Sequence, residues 1–456
     1  MKNLIKKFFL IFNYQIERIS LFNFNLKKLS DREKDYYKYF FLGIKHNLKF
    51  LRKKYKDCHL YEFENFQNLL NLQSIKIFKS LKEYSKKRKK WFLSQSQGKK
   101  NFEFIPSWMF IGSIGNYNTL FTLLLFYKFK LKKKKKLYCE IPANTKFNNY
   151  ALASYFLKYV NLVKKKQTIS SLKKELPLGT MIEMENSFIR INEARNFVNQ
   201  KIKKKQFKFK ISKEHKIFGT KMLKNNGITV NDNEWFVTLH IRQYGWRGEN
   251  KQNTNEKHRT PNPGNYIPAI NEITERGGKV FLVGNNSFNF PKIKNFINYA
   301  NSPIKSDKMD VYLAANSRFC IANLSGFWPI AKFFGTPVLL TDSPSHTNYL
   351  ELDAKDMYLP RLIYQKKDYK KKNKLNLKMF EYPLNSLYSD THFIRRNLNF
   401  IENTSEEIRQ ATVEMLQRGN NTKLQNKFKK KLNKVLKKNK QVAFANLPNH
   451  FLQHHF

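Results

Sequence analysis

The chain has 456 residues, more than one hydrophobic core usually covers, so at least two domains are expected. Its hydrophobic fraction of 41% is enough for globular cores, and no run of about 18 apolar residues could span a bilayer. The formal net charge of +52 favours contact with nucleic acid or an anionic membrane, but the accompanying Asn, Ile, Phe and Tyr also indicate A/T-rich codon usage. No motif with nucleic-acid-binding spacing is present, so nucleic acid is not an expected partner.

The three cysteines, Cys58, Cys139 and Cys320, are far apart in the sequence. Their spacing excludes a disulfide framework and a zinc site of the C-x-x-C kind. Cys139 and Cys320 stand in apolar runs and are predicted to be buried. These features predict a reduced, cytoplasmic protein.

Residues 1–98 are predicted to form a helical, basic extension, because they are rich in Lys, Phe and Tyr and almost free of Gly. The opening MKNLIKKFFLIFN lacks a signal-peptide cleavage site, and its apolar residues fall on one helical face. That face suits an interfacial helix on an anionic leaflet and equally a helix docked on the protein's own core. The same two interpretations apply to the lysine-rich run at 423–438, within a basic tail predicted at 421–456.

Residues 99–230 are predicted to form a first Rossmann-like domain with a helical linker. SWMFIGSIGNYNTLFTLLLFYKF predicts a strand, a glycine loop and a helix opened by Asn118 or Thr119, and LYCEIP predicts a second strand. The basic stretch from about 160 to 230 is predicted to be helical, with ENSFIRINEARNFVNQKIKKK as its clearest amphipathic piece.

Residues 231–420 are predicted to form a second Rossmann-like domain, because strand and helix patterns alternate with short connections. Gly277 and Gly335 predict the C-terminal ends of two helices, and Ser325 is the predicted N-cap of the second one. The predicted strands are 235–240, 279–284, 295–300, 318–324 and 336–342, and the predicted helices are 265–278, 307–317 and 325–335.

Polar residues follow two of these predicted strands. His240 and Arg242 end the strand in WFVTLHIRQYGWRG, and Asn323, Ser325 and Gly326 end the strand in RFCIANLSG. In a doubly wound sheet, ligands bind beyond the carboxyl ends of the strands. An arginine facing a helix N-terminus is typical of a diphosphate site. A surface salt bridge for Arg242 and a buried, hydrogen-bonded His240 are the structural alternatives.

Residues 235–416 contain a series of short motifs: H-x-R at His240 and Arg242, Y-x-x-A-I at 266–270 with Gly277 and Gly278, M-D-x-x-L at 309–313, Ser325–Gly326, F-G-x-P-V-L-L at 334–340, and ENTSEEIRQATVEML at 402–416. Together these motifs resemble a bacterial glycosyltransferase family of GT-B type that is similar to fucosyltransferase-like enzymes, and 402–416 resembles the closing helix of that family. The resemblance implies two Rossmann-like domains facing a cleft. It implies transfer of a sugar from a nucleotide-diphosphate donor to a glycan or lipid-linked acceptor, in surface polysaccharide synthesis.

The implied mechanism needs positive charge at the β-phosphate that leaves with the nucleotide. The sequence has no D-x-D pair to hold a metal, so no metal is expected, and Arg242 is the candidate for that role, with the helix N-terminus at Ser325 and Gly326. His240 is a candidate to orient a phosphate or the acceptor. The further candidates for donor binding are Arg247 and Arg259 on a predicted lid loop at 243–264, Asp310 near the ribose or base, and Asn323.

The acceptor base is expected from the first domain, where Glu140 ends a predicted strand. Two other function classes stay open at this point. One is a nucleotide-sugar enzyme of related fold, such as an epimerase, and the other is a non-enzymatic basic protein that binds membrane or nucleic acid. The expected location is the cytoplasm, with peripheral contact at the inner face of the membrane.

Overall fold

The computed structural model describes the chain from residue 102 onward, in segments. They fall into two compact units that divide between residues 205 and 206. The predicted extension at 1–98, with Cys58, lies outside the described residues. The described residues are 102–105, 109–111, 114–130, 136–142, 146–165, 181–184, 187–190, 198, 207–229, 234–244, 257–285, 287–344, 348–377, 380, 393, 397–437 and 442–456.

The first unit contains a parallel three-stranded sheet in the order β1–β2–β3. Its alternation of strands and helices confirms the predicted α/β class of this region. Its first strand, however, precedes the predicted one, because Met109 and Phe110 form a fully buried turn instead of a strand. The elements are β1 (Phe102–Ile105), α1 (Asn116–Lys130), β2 (Lys136–Pro142), α2 (Tyr150–Leu157) and β3 (Val160–Lys165).

An antiparallel pair of short strands corrects the helical prediction for the region after residue 160. β4 (Met181–Met184) pairs with β5 (Ser187–Arg190), so the piece ENSFIRINEARNFVNQKIKKK starts in a strand. In their backbone register, Ile189 lies opposite Ile182 and Phe188 opposite Glu183. β-Branched and aromatic residues have only modest helical propensity and are common in strands, which favours the strand pair over the predicted helix.

The second unit is built on a parallel sheet of six strands in the order β8–β7–β6–β9–β10–β11. The chain runs outward from β6 to β8, returns to β9 beside β6, and then runs outward the other way. This confirms the predicted doubly wound sheet in the second half. The strands are β6 (Phe236–His240), β7 (Lys279–Val283), β8 (Phe296–Ile297), β9 (Cys320–Ala322), β10 (Val338–Ser343) and β11 (Met357–Pro360).

Seven helices and a two-stranded antiparallel pair, among the residues described, accompany this sheet. Cys320 in β9 is buried, as is Cys139 in β2, which confirms both predictions. The pair is β12 (Leu362–Gln365) with β13 (Leu398–Ile401). The helices are α3 (Lys213–Asn225), α4 (Ile267–Glu275), α5 (Asp307–Asn316), α6 (Trp328–Phe334), α7 (Ser405–Gln417), α8 (Lys423–Leu436) and α9 (Asn449–His455).

Helix α6 begins later than predicted, so the assignment of Ser325 as its N-cap is wrong. The helix has seven residues and starts at Trp328, with Phe327 in the cap position and no side-chain capping bond. Pro329 stands in its first turn, where its fixed φ and missing N–H are tolerated. The Ser325 hydroxyl instead accepts a hydrogen bond from the Phe327 N–H at 3.4 Å, within the turn before the helix.

The lysine-rich helix α8 packs its apolar stripe on the protein itself. Phe428, Leu432 and Leu436 are each at most 1% exposed, and the Phe428 ring lies 5.2 Å from that of Phe456. The helix opens with a capping box, in which the Thr422 hydroxyl and the Gln425 side chain satisfy each other's backbone N–H groups. Of the two interpretations of this run, the docked helix is therefore the one observed.

The residues after α8 cover one edge of the large sheet. Asn446 forms a parallel bridge with Met357 of the edge strand β11, and the Tyr358 N–H donates to the Asn446 carbonyl at 2.8 Å. The Tyr349 hydroxyl also donates to the carbonyl of Ala445. None of the helices in the described parts of the chain is long and apolar enough to cross a bilayer.

We predict that Phe428→Ala destabilises the second unit by about 3–5 kcal/mol, because it empties a fully buried site. The control Lys427→Ala changes an exposed residue one position away and is expected to shift stability by less than about 0.5 kcal/mol. Urea unfolding followed by circular dichroism measures both. Equal stability of the two variants would contradict the packing of α8 on the core.

Candidate functional site

The candidate site lies where the sheet reverses its winding direction, between β6 and β9. These two strands are parallel neighbours, with His240 opposite Ala322. Arg242 follows β6 by two residues, and Asn323 follows β9 directly. Crevices at such switch points are the usual ligand sites of doubly wound sheets. The structure therefore brings the two predicted polar strand ends together.

The Asn323 carboxamide joins two of the candidate arginines. Its Oδ1 accepts a hydrogen bond from the backbone N–H of Arg242 at 2.9 Å, and its Nδ2 donates to the Arg259 carbonyl at 3.2 Å. Asn323 is fully buried and Arg242 is only 8% exposed. Arg242 is thus a buried residue of the crevice and not the surface residue of the salt-bridge alternative.

His240 sits on the same strand end in an apolar setting. Its ring stacks on Phe327 with the ring centroids 5.6 Å apart, and its buried Nδ1 atom has no hydrogen-bond partner. Burial lowers the pKa of His240 from 6.5 to about 4, and the positive charges of Arg242 and Lys305 add to this effect. The imidazole is therefore neutral at pH 7, so it offers hydrogen bonding and not positive charge.

Gly284 makes room for this histidine at the end of β7. A Cβ at this position would lie 2.7 Å from Cδ2 and Nε2 of His240, and the glycine φ is +88°. Lys305 closes the same end of the strand, since its ammonium group donates to the Gly284 carbonyl at 2.7 Å and to Asn285 Oδ1 at 3.1 Å. The β7 side of the crevice is therefore shaped around His240 by two other residues.

Arg259 belongs to a short 3-10 turn, Lys257–Arg259, that is tied down on several sides. Arg361 donates from Nη1 to the His258 carbonyl at 2.8 Å and to the Lys257 carbonyl at 3.3 Å. The N–H of Asn262 donates to Glu402 at 3.2 Å. These bonds hold residues 257–264, the longer described part of the loop at 243–264, and the lid over the whole loop stays a prediction.

A buried ion pair between Arg361 and Asp342 holds that turn, because Arg361 also donates to two of its carbonyls. Arg361 and Asp342 are both 0% exposed, and Arg361 Nε donates to Asp342 Oδ1 at 3.2 Å. The same carboxylate accepts hydrogen bonds from the Asn403 N–H at 2.9 Å and from the Tyr266 hydroxyl at 3.0 Å. Burial raises the pKa of the Asp342 carboxyl, and the adjacent Arg361 opposes that rise.

Asp310 lies in the first turn of α5. Its Oδ1 accepts a hydrogen bond from the Tyr299 hydroxyl at 2.9 Å. Burial raises the pKa of Asp310 to about 6, although the Tyr299 bond and the charge of Lys305 act against it. The protein itself therefore holds this carboxylate through Tyr299.

The remaining candidates are not brought to the crevice by a described contact. Ser325 and Gly326 lie in the turn after Asn323, while Arg247 is outside the described residues. Glu140 lies in β2 of the first unit, and its side chain is also outside the described part. The residues described contain no group of three or more His, Cys, Asp or Glu side chains that could hold a metal ion.

Asp342, Arg361, Lys305 and Gly284 were not predicted as site residues. Arg361 had one sequence signal, because it is the lone charged residue in the apolar run MYLPRLIY. A charge inside such a run predicts a buried partner, but it does not identify Asp342 as that partner.

No family model matches the sequence, and no curated protein matches it significantly. Among solved structures, the chain is similar to a glycosyl transferase family 9 protein from Veillonella parvula, with 11% identity and a TM-score of 0.45, over 70% of this chain and 99% of that one. It is also similar to the dodecameric iron-containing heptosyltransferase TibC in complex with ADP-D-β-D-heptose, with 12% identity and a TM-score of 0.33, over 55% and 60%. A second TibC structure, from enterotoxigenic E. coli, gives 10% identity and a TM-score of 0.31, over 53% and 58%. The more specific likeness to fucosyltransferase-like enzymes stays a prediction.

We predict that His240 makes stability depend on pH. Its folded pKa of about 4 lies below the unfolded value of 6.5, so the unfolded chain binds the extra proton between these values. The stability that the neutral His240 contributes is fully present above pH 6.5. It falls by on the order of 3 kcal/mol as the pH is lowered towards 4. In His240→Asn, the stability difference from wild type should therefore shift by at least about 1 kcal/mol between pH 7 and pH 4.5 in urea unfolding. A constant difference would contradict the lowered pKa.

Proposed function

We propose that the chain is a glycosyltransferase that uses a nucleotide-diphosphate sugar, with the donor diphosphate bound at the carboxyl ends of β6 and β9. The observation that carries the proposal is the Asn323 bridge, which holds the buried Arg242 and the Arg259 turn together at the switch point. Two guanidinium-bearing residues joined in one crevice suit a diphosphate, which accepts several charge-assisted hydrogen bonds.

The proposed reaction depends on how negative charge on the leaving diphosphate is stabilised. When the bond between the sugar and the β-phosphate breaks, negative charge grows on the leaving diphosphate, and a fixed cation in a buried site stabilises it. Arg242 and Arg259 supply that charge in the proposal. His240, neutral at pH 7, serves as a hydrogen-bonding group for the donor. Asp310 is proposed to contact the ribose or base, Asn323 to hold the two arginines at the donor, and Arg247, Ser325 and Gly326 to line the phosphate side.

The proposal includes transfer without a metal, because the sequence lacks a D-x-D pair and the two arginines fill that role. The acceptor is proposed to be a glycan or a lipid-linked glycan, as the resemblance to fucosyltransferase-like enzymes implies. An acceptor base from the first unit completes the reaction, and Glu140 in β2 is the residue proposed for it. Surface polysaccharide synthesis is the corresponding pathway class.

We predict that one of GDP, UDP, CDP or ADP stabilises the wild-type protein in the presence of EDTA. Saturation at 100 times the dissociation constant adds about 2.7 kcal/mol to the unfolding free energy. Arg242→Ala should weaken that nucleotide by about 10- to 100-fold, since it removes a charge-assisted contact. Thermal unfolding and calorimetric titration measure the two effects.

Arg276→Ala is the matched control. Arg276 follows α4 just before β7 begins, so it lies at the amino end of that strand, and it pairs with Glu272 on the helix surface. Its loss should leave nucleotide affinity within about twofold. If no diphosphate binds, or if both arginine variants bind alike, the donor site is not where we place it. If binding requires Mg²⁺, only the metal-free part of the proposal fails.

We also propose that the exposed side of α8 attracts the enzyme to an anionic membrane surface. Residues 421–456 contain no Asp or Glu, and with the apolar stripe buried, the outward side of the helix is basic. Lysines near an anionic bilayer contribute about 1 kcal/mol each. The exposed lysines of α8 are Lys423, Lys427, Lys430, Lys431 and Lys434.

We predict that changing Lys427, Lys430 and Lys434 to Gln weakens binding to phosphatidylglycerol vesicles by about 100-fold at 0.1 M salt. The control changes three exposed lysines of α3 to Gln, with the same loss of charge: Lys213, Lys216 and Lys221. Vesicle co-sedimentation measures the binding. Equal losses in the two variants would mean that total charge, and not α8, brings the protein to the membrane.

A further inference from the structure

We infer that Arg361 is a positioning residue for the donor site, because it is anchored on Asp342 and fixes the turn that carries Arg259. This inference rests on the proposed function, since it concerns the same crevice. Neither residue belongs to the H-x-R strand end, and neither has any solvent-exposed surface. They act on the site through the backbone of the 257–260 segment.

The anchor is a carboxylate that the fold holds rigidly. Asp342 is the penultimate residue of β10, near the carboxyl end of the strand, and has a left-handed backbone conformation with φ +48°. Its N–H donates to Asn403 Oδ1 at 2.6 Å, and Asn403 donates from Nδ2 to the Pro360 carbonyl at 2.8 Å. The Asn403 N–H donates to Asp342 Oδ1 and the Tyr266 hydroxyl to Asp342 Oδ2, so both carboxylate oxygens are held.

Arg361 connects Asp342 to the Lys257–Arg259 turn. While Nε binds Asp342, Nη1 donates to the carbonyls of Lys257 and His258. The guanidinium also lies over the Phe400 ring, with its Cζ 4.8 Å from the ring centroid. These contacts on Nε and on one face orient the planar guanidinium towards the two carbonyls.

A continuous series of contacts then leads to the crevice. The turn fixed by Arg361 ends in Arg259, whose carbonyl accepts from Asn323, and Asn323 accepts from the N–H of Arg242. Asp342 and Arg242 are thus linked through fixed groups at every step. Loss of the Arg361 guanidinium releases the carbonyls of residues 257 and 258, and the position of Arg259 with them.

A role in stability alone does not account for this pair. Removing two charges from water costs free energy that their attraction often only balances, so apolar residues of similar size usually serve as well. Arg361 does what an apolar residue could not do, since it supplies donors to two backbone carbonyls of another segment. The chain offers a comparison at the other end of β10, where Lys332 pairs with Asp353 and Asp356.

The experiment compares Arg361→Met with Lys332→Met. Each variant removes the cation of an ion pair at one end of β10. The Lys332 pair lies at the amino end, away from the crevice, because Asp356 accepts a hydrogen bond from the Val338 N–H there. Arg361→Lys keeps a positive charge next to Asp342 but loses the planar guanidinium that donates to Asp342 and to both carbonyls at once. Calorimetric titration gives the dissociation constant of the diphosphate that binds wild type most tightly among GDP, UDP, CDP and ADP. Urea unfolding gives the stability, and hydrogen exchange follows residues 257–260.

We expect Arg361→Met to weaken the diphosphate at least tenfold and to speed exchange in residues 257–260, with α3 unchanged. Lys332→Met should lose comparable stability and keep its affinity within about twofold. Arg361→Lys should fold and show an intermediate loss of affinity, so it carries the test if Arg361→Met does not fold. Wild-type affinity in both Arg361 variants, or equal losses in Arg361→Met and Lys332→Met, would overturn the positioning role. If wild type binds none of the diphosphates, the proposed function fails and this inference with it, whereas unchanged exchange in 257–260 overturns only the inference.

Discussion

Beyond the ends of β6 and β9 the chain leaves the regular hydrogen bonding of the sheet, and a buried N–H or C=O without a partner is costly. The Asn323 carboxamide supplies both kinds of partner to two other segments. Its oxygen accepts a hydrogen bond from the Arg242 N–H, and its nitrogen donates one to the Arg259 carbonyl. The bridge uses backbone atoms of Arg242 and Arg259, so it sets where both residues stand without engaging their guanidinium groups. The geometry of the crevice depends on this one uncharged side chain.

The charge of the whole chain says little about the chemistry of the crevice. The chain has 86 basic residues and only 34 acidic ones. The basic residues near the crevice differ from the rest because they are buried, and some of them are paired with one of these acidic side chains. Asp342 fixes Arg361, and Asp356 fixes Lys332, at opposite ends of the same strand. His240 is neutral because it is buried close to other cations. Burial and pairing, and not the excess of lysine, therefore determine where positive charge can act on a ligand.

Local patterns in the sequence predicted the elements of the second unit well. The apolar strands ending at His240 and Asn323, and the left-handed glycines Gly277 and Gly335, follow from short-range rules that the structure obeys. The start of α6 was wrong, because Ser325 satisfies a turn and the helix begins only around Pro329.

Contacts between distant segments could not be predicted in the same way. The Asp342–Arg361 pair and the Asn323 bridge depend on strand order and on a return of the chain from residues 402–403. One sequence does not reveal which of many distant polar residues will meet. The short strands β4 and β5 were also missed, since four residues each give too short a pattern to distinguish a strand from a helix.

The bridge between Asn446 and Met357 has a consequence for the edge of the large sheet. β11 is the last strand on its side of the large sheet, and all four of its residues are buried. An uncovered apolar edge strand is a template on which another chain can add a strand. Asn446 pairs with part of that edge, so a chain cut before Asn446 would offer an open, aggregation-prone edge even if the crevice between β6 and β9 were intact.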